Sequence, residues 1–164
     1  MITMIERYSP PGYNVKWEKR FITVSLVIST LLSLGFFANL IRSVNRLYFF
    51  DGGKRYLKAN ASCSLFSENI GVLMHGFTVT AITCIFFMII RKAYLYQNSK
   101  SIYTVRRLPI KIPVFRITLP VPLMYCLTVL LVKYIILVVY MLVYLLSVPK
   151  EAIPIDWLDG IWRL

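Results

Sequence analysis

At 164 residues the chain has the length of one soluble domain, but 58% of those residues are hydrophobic and they lie in long apolar blocks, which is the pattern of membrane spans and not of an amphipathic soluble core. Outside the blocks only short connecting and terminal segments remain, too few to bury a second core, so residues 1–164 read as a single transmembrane domain. The net charge of +12, from 19 Lys and Arg against 7 Asp and Glu, does not call for nucleic acid as a partner: basic residues beside apolar spans set topology and sit against the lipid bilayer's anionic head groups.

Residues 1–20 are polar and mixed in charge, broken by Pro10-Pro11-Gly12. The first apolar block runs from Phe21 to Ile41 without a charge, and as a helix it is about 31 Å long, the thickness of a hydrocarbon core. It is too long for a signal peptide and no small-residue cleavage site follows, so it is expected to be a retained anchor. Ser25, Ser29 and Ser33 recur every four residues along it, a small-residue ladder that lets a neighbouring helix approach closely.

Residues 42–69 are expected to form a polar loop, with Asp51-Gly52-Gly53 as its turn. Cys63 lies in this loop and is the cysteine expected to meet solvent; Asn60-Ala-Ser62 matches a glycosylation sequon. The second block, Ile70 to Ile90, is again uncharged and stops at Arg91-Lys92. Gly76 and Thr80 repeat the small-residue spacing there. His75 is the chain's one histidine and is read as a hydrogen-bonded packing residue or a partner contact. One His and three scattered Cys, with no CxxC, do not supply a haem or zinc site, so no cofactor or metal is expected.

Residues 91–117 are strongly basic and include Arg106 and Arg107, a candidate docking surface. Pro113, Pro120 and Pro122 are expected to keep the approach to the third block extended. That block, Leu123 to Val148, is the longest, and Pro149 stops it; Trp157 and Trp162 in the tail suit a membrane interface.

Lys133, the eleventh residue of this 26-residue block, is the most informative position in the chain. A lysine at the middle of a span costs about 2.5–3.5 kcal/mol on the insertion scale. The 16 Leu, Ile and Val of the block, at about −0.3 to −0.6 kcal/mol each, outweigh that cost. Cys126, Lys133, Tyr140 and Ser147 recur every seven residues, with Tyr144 one turn beyond Tyr140, so they share a helix face, with a drift of about 20° per heptad. The three apolar blocks hold no Asp or Glu. A charged Lys133 therefore needs a counter-charge from a partner, a lipid phosphate or an anionic substrate; burial that leaves it neutral is the other outcome.

The fold class expected is all-α integral membrane, with three transmembrane helices at about 21–41, 70–90 and 123–148 and a basic cytoplasmic loop between helices 2 and 3. Counting Lys and Arg, the N-terminal segment and the second loop together carry 11 and the opposite side 7. The N-terminus is thus expected in the cytoplasm and the C-terminus outside, in a bacterial plasma membrane.

The segment Ser99-Lys-Ser-Ile-Tyr-Thr-Val-Arg-Arg-Leu-Pro109, after a span and an aromatic-basic exit, resembles a cytoplasmic loop of small membrane proteins associated with ABC transporter permeases of Gram-positive bacteria. The resemblance covers residues 97–109 and implies an export complex in which a separate ATPase binds cytoplasmic loops. Two features depart from such a complex's larger parts: there is no Walker A motif, so this chain is not the ATPase, and it has half the spans of a complete permease. A half-size permease and an accessory subunit both remain open.

No nucleophile–base pair, metal cluster or carboxylate dyad lies in the blocks, so the chain is not expected to be an enzyme. The expected function is a non-catalytic membrane subunit of a transport (export) complex, working with other membrane subunits and a cytoplasmic ATPase. The alternative is a small homo-oligomeric, holin-like pore, with the serine ladder driving self-association. Lys133, Tyr140, Tyr144, Cys126, His75, Arg106 and Arg107 are the candidate partner or substrate contacts; Ser25, Ser29, Ser33, Gly76 and Thr80 are the candidate helix-packing residues.

Overall fold

A computed structural model of the chain describes residues 13–58, 62–97 and 118–157. In chain order the elements are α1 (Val15–Ser33), α2 (Gly35–Leu47), β1 (Tyr48–Asp51), β2 (Lys54–Leu57), α3 (Phe66–Ile70), a 3-10 turn (Gly71–Met74), α4 (His75–Gln97), α5 (Pro120–Ser147) and a 3-10 turn (Lys150–Ala152). Three helical stretches are long and apolar enough to cross a membrane: Val15–Leu47, Phe66–Gln97 and Pro120–Ser147. This is the architecture of a multi-pass membrane protein.

The first two helical stretches overrun their apolar blocks at both ends. The first has 33 residues and the second 32, against 21 in each block. The charged flanks Lys16–Arg20 and Arg91–Gln97 are made largely of good helix formers, and backbone hydrogen bonding continues past the point where hydropathy falls. The longer stretches take in Glu18 and Glu68, while the apolar blocks themselves hold no Asp or Glu. One expectation changes with these boundaries. Pro120 and Pro122 are helical, because the first turn of a helix needs no N–H from them; Leu123 N–H already donates to Leu119 C=O at 3.2 Å.

The segment read as a loop after the first block is also more ordered than expected. The helix runs on to Leu47, and a two-stranded antiparallel hairpin follows, pairing Tyr48 with Leu57, Phe49 with Tyr56, Phe50 with Arg55 and Asp51 with Lys54. Gly52 and Gly53 both have positive φ, 52° and 82°. This two-residue turn matches the twist of the strands and asks for residues without a Cβ.

The chain divides into two compact units, each drawing on all three long stretches: residues 1–27 with 77–131, and residues 28–76 with 132–164. The described core of the first includes Ile22, Phe77, Cys84, Phe87 and Val129. In the second, Phe36, Phe66, Ile70, Met74 and Tyr144 are buried. Phe36 stacks on Tyr140 with centroids 4.6 Å apart and planes 9° from parallel, and Phe66 meets Tyr144 edge-on at 5.6 Å.

Candidate functional site

The stripe anticipated on the third helix forms in large part. Lys133, the fourteenth residue of 28 in α5, is only 8% exposed, and Tyr140 and Tyr144 are buried beside it on that face of the second unit. Its ends behave differently: Cys126 is half-buried and Ser147 exposed, as a seven-residue repeat on a 3.6-residue helix drifts away from a fixed direction. Tyr140 shares a hydrogen bond of 2.9 Å with Ser33 Oγ. Tyr144 donates to the backbone carbonyl of Ser64 at 2.9 Å and stacks on Trp157, centroids 6.2 Å apart. Trp157 therefore packs on a helix.

The small-residue ladders are used within the chain. In the first unit Ser25 Oγ and Thr80 Oγ1 are 2.7 Å apart. In the second, Gly76 lies so close to Ser29 that a Cβ added to the glycine would stand 2.8 Å from Ser29 Oγ and 3.2 Å from its Cβ. Ser33 is buried and also donates to Thr30 C=O at 2.7 Å. His75 sits exposed at the start of α4, its Nδ1 3.2 Å from Gly71 C=O, a local backbone bond. Arg106, Arg107, Asn60 and Trp162 lie outside the described residues.

The sequence reading missed a buried ion pair in the first unit. Glu18, on the first turn of α1, and Arg91, near the end of α4, form a salt bridge with both side chains 0% exposed. Arg91 Nε donates to both Glu18 oxygens at 3.0 Å, and Nη2 donates to Oε2. Tyr13 completes the group: its hydroxyl donates to Glu18 Oε1 at 2.6 Å, and the guanidinium carbon lies 5.3 Å from its ring centroid. Burial, with the hydrogen bond to Glu18 and that carboxylate's charge, pushes the Tyr13 phenol well above the usual tyrosine range. Two opposite charges at the ends of consecutive antiparallel blocks were the available signal.

A second polar cluster closes one end of the second unit. Asn69, 4% exposed, takes a hydrogen bond on Oδ1 from Ser43 at 2.8 Å, and its Nδ2 donates to Leu65 C=O at 3.1 Å and Ser64 C=O at 3.3 Å. Ser43 and Ser64 hydroxyls are 2.7 Å apart. Cys63 N–H donates to Ala152 C=O at 2.8 Å, tying the tail to this segment. Cys63 is 5% exposed, against the expectation that it meets solvent, because the tail covers it; burial also raises its thiol pKa. Beside it opens a pocket of about 420 Å³ lined by Ser43, Arg46, Ser62, Cys63, Ser64, Leu65, Glu68 and Pro154.

Among the described residues no group of three or more His, Cys, Asp or Glu is placed to hold a metal ion, and the three cysteines are free thiols. No known protein family, curated protein or solved structure matches the chain.

Proposed function

We propose that the chain is a non-catalytic membrane subunit of a transport (export) complex, working with a separate ATPase, a permease, or both. The observation that carries this reading is Lys133, buried mid-way along the most apolar helix. An ammonium group at that depth costs insertion free energy, and ionisable residues inside spans mark pathways or partner contacts by default. The outward faces agree: in the most apolar windows of the three stretches only 22%, 33% and 22% of residues are buried, leaving wide apolar surface for lipid and for other helices. With the basic segment 91–117 and the N-terminus in the cytoplasm, Arg106 and Arg107 are the docking residues for the ATPase.

A homo-oligomeric pore loses its main support, since Ser25 and Ser29 are occupied against Thr80 and Gly76 of the same chain. The test is affinity purification of the tagged chain in mild detergent with mass analysis of what accompanies it. An ATPase or a larger permease in the eluate supports the proposal. An oligomer of this chain alone refutes it and restores the pore.

A further inference from the structure

The pocket at the end of the second unit plays no part in that proposal, yet it is built as a site. Its wall is the non-helical segment Ser62–Leu65. An irregular segment holds one conformation only when its backbone polar groups find partners, and three regions supply them here: Tyr144 of α5 bonds Ser64 C=O, Asn69 of α3 bonds Ser64 and Leu65 C=O, and Ala152 of the tail receives Cys63 N–H. The lining is thus preorganised, and its volume of about 420 Å³ falls in the range of small-ligand sites.

Its chemistry is specific. Three serines contribute to the wall, and one cation, Arg46, and one anion, Glu68, line the same space. Among the described residues the salt bridge is Glu18–Arg91, so Arg46 and Glu68 are not joined to each other. Arg46 lies in the last turn of α2, where the backbone dipoles favour a positive charge, and Glu68 lies in the short α3. Opposite charges that line one pocket without pairing complement a ligand that carries both.

We infer that this pocket binds a small zwitterion, its anionic group on Arg46, its ammonium on Glu68 and its remaining polar atoms on the serines. A free α-amino acid has this chemistry, and so does the phosphoethanolamine head group of a lipid. The site is independent of the transport proposal.

The test is calorimetric titration of the full chain, purified in a neutral detergent, with L-alanine and with glycerophosphoethanolamine, the phosphodiester form of the head group. Acetate and ethylamine serve as probes that carry one charge each. Saturable binding of a zwitterion, absent with either single-charge probe, is expected. Arg46→Gln and Glu68→Gln, both at exposed positions, should each weaken it about tenfold or more, and the charge-swapped Arg46→Glu/Glu68→Arg should recover part of the loss. Binding of alanine assigns a free amino acid; binding of glycerophosphoethanolamine alone, with the corresponding lipid retained in native mass spectra, assigns the head group. Failure of both zwitterions to bind, or equal binding by wild type and both single variants, overturns the inference.

Discussion

Arg91 grips Glu18 across 73 residues of sequence, and neither side chain reaches the surface of the chain. Removing one partner of such a pair strands the other as an uncompensated buried charge, which costs about 3–5 kcal/mol. Glu18→Ala and Arg91→Ala should each lower stability by that order in detergent unfolding. The double variant Glu18→Leu/Arg91→Met should lose much less than the two single losses combined. Additive losses would show that the two groups do not act as a pair.

Tyr13 should make this corner sensitive to alkali. A phenol whose folded pKa is raised keeps its proton when the unfolded chain has released it, so its contribution is fully present below about pH 10, the unfolded value, and is lost as pH climbs toward the folded pKa. Tyr13→Phe should cost about 1–2 kcal/mol at neutral pH through the lost hydrogen bond to a carboxylate. It should also flatten the fall of stability above pH 10; an unchanged alkaline slope would exclude Tyr13 as its source.

The contact of Gly76 with Ser29 predicts a compensating pair. Gly76→Ala places a methyl group 2.8 Å from Ser29 Oγ and should destabilise by about 1–3 kcal/mol as an overpacked contact. Adding Ser29→Gly should return part of that loss. If Gly76→Ala melts like wild type, the close approach is wrong.

Cys63 should resist maleimide in the folded protein and react once the chain is unfolded in a denaturing detergent, since the tail shields it and burial holds the thiol protonated. Replacing Trp157 by Ala, which removes its stacking on Tyr144, should speed labelling of the folded chain. Rapid labelling of the wild type would show that the tail does not cover this site.

What could be read from the residues divides along a physical line. Hydropathy places the three helices because apolar blocks of more than 20 residues have few other homes, and helical spacing brings Lys133, Tyr140 and Tyr144 to one face. The Gly52-Gly53 turn is legible because few residues adopt positive φ cheaply. Hydropathy stops at the first charge, however, and so leaves Glu18 and Arg91 as two separate block-flanking charges when they are one tertiary contact. The same bias reads Tyr48–Leu57 as loop although its aromatics are strand formers. The burial of Cys63 is not legible because its cover comes from a tail more than 80 residues away in sequence, which no local pattern reports.

The most direct test of the subunit proposal is co-purification with Lys133→Leu beside the wild type. The substitution removes an ammonium from a span and so favours insertion, and membrane levels should equal those of the wild type. The account predicts that the variant inserts yet loses most of the partner proteins that the wild type brings down. Partners recovered in equal amounts with Leu at this position would contradict it.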